Sequence, residues 1–107
     1  MTYEELVEQV RSIAAKADAS KIKDHVAFQF NIEGEAEGAF YLEIGNGKAD
    51  VQPYEYYDRD VLVTCTAENL LKIVKGKLDP VVAFTTKKIR VDGDLGKALV
   101  LKEVVGK

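Results

Sequence analysis

Four sets of residues in this chain carry side chains that could do chemistry. The first is His25 with Cys65, the only histidine and the only cysteine. A thiolate nucleophile needs a base that is itself held by an orienting partner. Cys65 falls inside an alternating run, VLVTCT, where a side chain packs rather than reacts. One Cys and one His also fall short of the three or four protein ligands that zinc takes. Both residues read as structural, and no metal is expected. The second set is Glu33, Glu35 and Glu37 in EGEAEG. Calcium wants six to eight oxygens around a folded loop, and this spacing fits a solvated hairpin loop better. The third is Gly45-Asn46-Gly47, a fragment of a phosphate loop in composition. Such loops leave a strand and open a helix, whereas the KADVQ that follows reads as strand. The fourth is Tyr54, Tyr56 and Tyr57. Stacking platforms for single-stranded nucleic acid sit in basic grooves, but these tyrosines lie among Glu55, Asp58 and Asp60. A partly packed loop fits better, with a place at a ligand portal left open. No catalytic residue and no cofactor is expected, so the chain does not read as an enzyme.

The chain as a whole narrows the field further. Its 107 residues suit one domain, residues 1–107, with a core of modest size. Apolar residues make up 47% and charged residues 31%, an ordinary globular balance. The net charge is −3 without a block of like sign, which argues against a nucleic-acid or anionic-membrane surface, since either needs clustered Lys and Arg. No apolar run approaches the roughly 20 residues of a membrane-spanning helix. The first residues lack a basic-then-apolar signal pattern. A single cysteine suits a reducing compartment. A cytoplasmic location is the expectation.

The elements follow from period and caps. Thr2 and Glu5 have capping-box spacing. Leu6, Val7, Val10, Ile13, Ala14 and Ala17 then recur on one helical face. Asp18 to Asp24 reads as a turn or a short second helical piece. From Val26 the period becomes two: Val26, Phe28, Phe30 and Ile32 share a face, then Phe40, Leu42 and Ile44 after a glycine-flanked loop. Gly45 to Gly47 suits a hairpin turn. Lys48 to Gln52 is a third strand, ended by Pro53, and Asp60 to Thr66 a fourth. Thr66 caps a helix carrying Leu70, Leu71, Ile73 and Val74. Asp79-Pro80 starts another. Ile89 and Val91 form a fifth strand, and Asp94 caps a last helix that Gly106 ends. Four consecutive strands on hairpins predict an α+β domain: a five-stranded, mostly antiparallel sheet covered on one face by helices. The partner of the fifth strand does not follow from hairpin logic. Pattern alone leaves open whether the apolar residues fill a core or line a cavity.

The segment GKLDPVVAFTTKKIRVDGDLGKAL resembles the sterol carrier protein type 2 family of lipid-transfer domains. The residues that carry the resemblance are Gly76-Lys77, Asp79-Pro80, Ala83-Phe84, Lys88-Ile89-Arg90-Val91 and Gly93-Asp94. Upstream, VLVTCTAENLLKIVKGK is similar to the family's strand and the helix with a Gly-Lys ending. With the N-terminal helix and the meander, nearly the whole chain is covered. The family often has Gly where this chain has Lys87. Peroxisomal members end in a Ser-Lys-Leu-type signal, whereas this chain ends Val-Val-Gly-Lys.

The resemblance implies an apolar tunnel between sheet and helices and no catalysis. The cargo would be a fatty acid, a fatty acyl-CoA or a sterol-like lipid, with transient membrane contact. On strand and helix faces, the expected lining is Phe28, Phe30 and Phe40 from the sheet, Leu71 and Val74 from the middle helix, Val81 and Phe84 after Pro80, and Leu95, Leu99 and Val100 from the last helix. The last helix is the expected gate. Lys87, Lys88, Arg90 and Lys97 could meet a head group or simply face solvent. The alternative is a solid-core interaction domain, or an accessory domain working with a separate acyl-CoA-handling enzyme.

Overall fold

The computed structural model describes residues 1–17, 20, 22 and 25–104. The first helix, α1 (Tyr3–Lys16), opens on the capping box: Thr2 Oγ1 accepts from the Glu5 amide at 3.1 Å, and Glu5 Oε1 accepts from the Thr2 amide at 2.8 Å. Those bonds occupy two of the amides that a helix start leaves without partners. They also hold the Glu5 carboxyl below its usual range. Leu6, Val7, Val10 and Ala14 turn inward, as the 3.6 period requires. Asp18, Ala19, Lys21, Lys23 and Asp24 lie outside the described residues, and with them most of the turn expected there.

Five strands follow: β1 (Val26–Glu33), β2 (Gly38–Gly45), β3 (Lys48–Gln52), β4 (Val61–Thr66) and β5 (Arg90–Gly93). Their order across the sheet is β3-β2-β1-β4-β5. Both expected hairpins form. The second turns on Asn46 and Gly47, at φ 54° and 74°, the positive pair that a two-residue hairpin turn demands. The expectation that β4 would continue the meander is corrected. It crosses over to lie parallel to β1, with Phe28 opposite Val61 and Ile32 opposite Cys65, and β5 pairs antiparallel with β4. The sheet is therefore mixed, with one parallel pairing among four. Pro53 and the segment 53–60 break the meander, and β1, buried on both faces, takes the centre.

Register puts Val26, Phe28, Phe30, Ile32, Phe40, Leu42, Ile44, Val51, Val61, Val63, Cys65 and Val91 on one face. The helices cover that face: α1, α2 (Ala67–Val74), α3 (Pro80–Thr85), α4 (Leu95–Ala98) and α5 (Val100–Val104). The expected single last helix is two short pieces meeting at Leu99, where the chain tightens to a Lys102 amide–Leu99 carbonyl bond of 3.1 Å. Val105 and Gly106, its expected end, lie outside the described residues. The opposite face is polar, and the loop 53–60 folds onto it. There Gln29 is buried but fully partnered: Nε2 donates to Asn31, and Oε1 accepts from the Tyr56 amide and from Arg59. Such pairing is what makes a buried amide tolerable.

Lys87 follows α3 at φ 63°. A left-handed side-chain residue costs about 1–2 kcal/mol, and glycine would add back about 1 kcal/mol of chain entropy. Lys87→Gly should therefore raise stability slightly, by about 0.5 kcal/mol on balance, read as a small increase in the urea midpoint.

Candidate functional site

The helices divide the apolar face of the sheet into two unlike halves. Over β3, β2 and β1 the cover is α1, with α2 packed beside it. Phe30 stacks between Phe28, at a ring-centroid distance of 6.2 Å, and Phe40, at 5.3 Å. Tyr3 of α1 meets Phe40 edge-on at 6.5 Å, and its hydroxyl donates to the Ala39 carbonyl. Over β4 and β5 the cover is α3, α4 and α5, all short, and here the packing leaves a cavity of about 210 Å³.

Phe28 and Val63 form the cavity floor, Ile89 and Val91 one side, Pro80, Val81 and Phe84 another, and Leu95, Ala98, Leu99, Leu101 and Lys102 the last. Four apolar lining residues also reach solvent: Val81 at 40% exposure, Phe84 at 42%, Leu95 at 52% and Leu99 at 57%. They form an apolar mouth. Asp79 holds that mouth's first helix in place. Its Oδ1 accepts from the Val81 amide at 2.7 Å and from the Val82 amide, while Oδ2 lies 3.2 Å from Lys102 Nζ. The amide bond and the lysine keep the Asp79 carboxyl below its ordinary range. Because its folded value is depressed, this tie is intact above the ordinary carboxylate pKa. It is lost as pH falls through the folded value.

Of the ten residues expected to line the cavity, Phe28, Val81, Phe84, Leu95 and Leu99 do so. Phe30, Phe40 and Val74 are buried elsewhere in the core, and Leu71 and Val100 pack against it from its edge. For Phe30 and Phe40 the reason is α1, which seals their half of the sheet. A face shared with Phe28 was not enough to place them at the cavity. Of the expected cations, Arg90 pairs with Glu33 at 3.0 Å and Lys97 with Asp60 at 3.1 Å. Lys87 and Lys88 lie in the turn after α3, and none of the four lines the cavity. Lys102 does, and it was missed because the helix break at Leu99 sets its direction. Val63 and Val91 were legible as partners of one face once the β4–β5 register was known.

The other residue sets are apart from this cavity. His25 Nε2 lies 2.5 Å from Glu43 Oε2, which also accepts from the Tyr56 hydroxyl, on the polar side of the sheet. Cys65 is buried, and burial pushes its thiol up to about 12, too high for a thiolate nucleophile. Glu33 meets Arg90, and Glu35 meets the N-terminal amine. Among the described residues no three His, Cys, Asp or Glu side chains group as metal ligands. Among those residues, too, no helix is long and apolar enough to cross a membrane. What the cavity offers is an apolar slot with one ammonium at its rim.

The comparisons with known proteins agree with the fold. The model of the SCP-2 sterol transfer family matches residues 4–106. Hydroxysteroid dehydrogenase-like protein 2 of Xenopus tropicalis is 34% identical over 80 residues, which are 74% of this chain and 19% of that protein. The chain thus spans about a fifth of the length of the curated relatives it first matches. The solution structure of palmitated SCP2L2 from Aedes aegypti is 26% identical, with a TM-score of 0.71 over 100% of this chain and 96% of that one. A stereoselective inverting sec-alkylsulfatase from Pseudomonas sp. shares the fold at 22% identity and a TM-score of 0.76, over 89% of this chain and 15% of that one. With a matching five-stranded α+β architecture and a family model spanning nearly all its residues, this chain belongs to the SCP-2 sterol transfer family.

Proposed function

We infer that this domain binds and carries a lipid with a single hydrocarbon chain, a fatty acid or its acyl thioester, without catalysing its conversion. The observation that carries the reading is the 210 Å³ cavity, apolar on every side except for Lys102 and open through an apolar mouth. Each methylene moved from water into such a slot contributes about 0.8 kcal/mol. Ordering the chain and losing its free motion offset part of that gain.

The volume favours a flexible chain over a rigid ring system. Small-molecule sites usually enclose about 300–1,000 Å³, and the cavity is below that range. A chain can enter methylene by methylene. A sterol nucleus needs its full width at once. A dry cavity of 210 Å³ would cost about 5 kcal/mol, comparable with the whole stability of a small domain. An open mouth that admits water, or a resident lipid, avoids that cost. The palmitated state of the Aedes relative supports the same cargo class.

Native mass spectrometry tests the reading: the delipidated protein is incubated with fatty acids, acyl-CoAs and sterols. A one-to-one adduct with the first two classes is expected. Sterol adducts alone, or none with the protein still folded, would overturn it. In the same assay Lys102→Gln should lower affinity for a fatty acid about twofold to fivefold, the range of one exposed ion pair, and change affinity for a fatty alcohol less.

A further inference from the structure

The segment from Lys72 to Lys102 has eight basic and three acidic residues, a net charge of +5 in a chain whose total is −3. The remainder is thus −8. The basic segment is also the one that builds the cavity mouth. Lys77, Lys87 and Lys88 are exposed, and among the described residues they have no ion-pair partner. Lys77 precedes Pro80 by one short turn. Lys87 and Lys88 follow Phe84, their amides bonded to the Phe84 and Ala83 carbonyls. Val81, Val82 and Phe84 stand between these lysines in the chain, and with Leu95 and Leu99, which line the same cavity as Val81 and Phe84, each is at least 40% exposed. Val82 is 49% exposed and lines no part of the cavity, so the slot does not explain its position. By contrast α1, the longest helix, shows Glu4, Glu5 and Glu8 to solvent and turns its apolar face to the core.

We propose that the cavity mouth is a docking surface for an anionic phospholipid bilayer, with Val82, Phe84, Leu95 and Leu99 entering the interface and Lys77, Lys87 and Lys88 meeting lipid phosphates. Exposed apolar side chains on a basic segment are the pattern of interfacial attachment, where buried area and charge act together. The acidic remainder of the surface orients the approach: its repulsion from an anionic bilayer points the mouth at the membrane. The occupant is the bilayer because the patch pairs unpartnered cations with protruding apolar groups, whereas a protein partner of acidic character would leave Val82 and Leu99 against water. The proposal goes beyond cargo binding and does not depend on which lipid is carried.

Flotation with phosphatidylcholine vesicles, with and without about a third of phosphatidylserine, tests it. Binding is expected only with phosphatidylserine and should fade as salt is raised. Val82→Asp and, separately, Lys77→Glu should each weaken it about fivefold or more. Neither residue lines the slot, so fatty-acid affinity in vesicle-free solution should be unchanged for both. That second assay separates failure of docking from failure of cargo binding. Equal binding to both vesicle types, or vesicle binding indifferent to both substitutions, overturns the proposal. So does a cargo-binding protein that floats with neither vesicle, including one that dimerises through Val82.

Discussion

Replacing Ala98 with phenylalanine is expected to weaken fatty-acid binding roughly a hundredfold while leaving the domain as stable or more so. Ala98 sits on α4 as part of the cavity wall, only partly buried, so its methyl marks a place where a larger group has room. A phenyl ring there takes space that three or four methylenes would otherwise occupy, worth about 2.5–3 kcal/mol of transfer free energy. The same ring fills a void, and cavity-filling substitutions commonly add about 0.5–2 kcal/mol. Opposite signs in the two measurements are the signature of a hollow kept for a ligand. Displacement of a fluorescent fatty acid and urea unfolding, on one preparation, read both. Raised stability with unchanged affinity would make the cavity a packing fault with the cargo held elsewhere. A fall in both would mean that the ring has pushed α4 off the sheet.

Much of the fold was legible in the sequence because local signals agreed. The capping box at Thr2, the alternation in β1 and β2, the Asn46-Gly47 turn and the Asp79-Pro80 helix start each rest on neighbours within a few residues. What escaped was set over long range. The parallel pairing of β4 with β1 depends on a crossover that hairpin reasoning does not contain. The cavity depends on which helices are long enough to seal the sheet, and period assigns Phe28 and Phe30 to one face without saying that only Phe28 lines the cavity. The expected cations were chosen by nearness in sequence. Lys102 reaches the rim through a helix break, whereas Arg90 and Lys97 are drawn to carboxylates distant in sequence, Glu33 and Asp60. Side chains at the cavity are therefore the least local feature of the molecule.

Gly93→Ala tests the close backbone approach that holds that geometry, and it should cost about 3 kcal/mol or more, lowering the melting temperature by more than about 10 °C for a domain of this size. Gly93 has φ 107°, a backbone region that side-chain residues rarely enter, and an added Cβ would lie 2.4 Å from the Asp60 carbonyl oxygen. That oxygen cannot retreat cheaply. It accepts from the Asp94 amide at 2.9 Å, and the Asp60 carboxylate is tied to the Ala27 amide at 2.9 Å and to Lys97 at 3.1 Å. Relief must come from parting β5 from β4. Asp94, whose Oδ1 caps α4 through the Lys97 amide, would move with it. Leu95, Ala98 and Leu99 then leave the cavity wall, so cargo affinity should fall as well. Gly34→Ala is the control. At φ 76° it has the same left-handed sign, but its added Cβ meets nothing within 4 Å, and the cost should stay near 1 kcal/mol. Equal losses at the two positions would assign the whole effect to backbone strain. A larger loss at Gly93, with faster hydrogen exchange along β5, would assign it to the close approach of two chain segments that hold the mouth of the cavity in register.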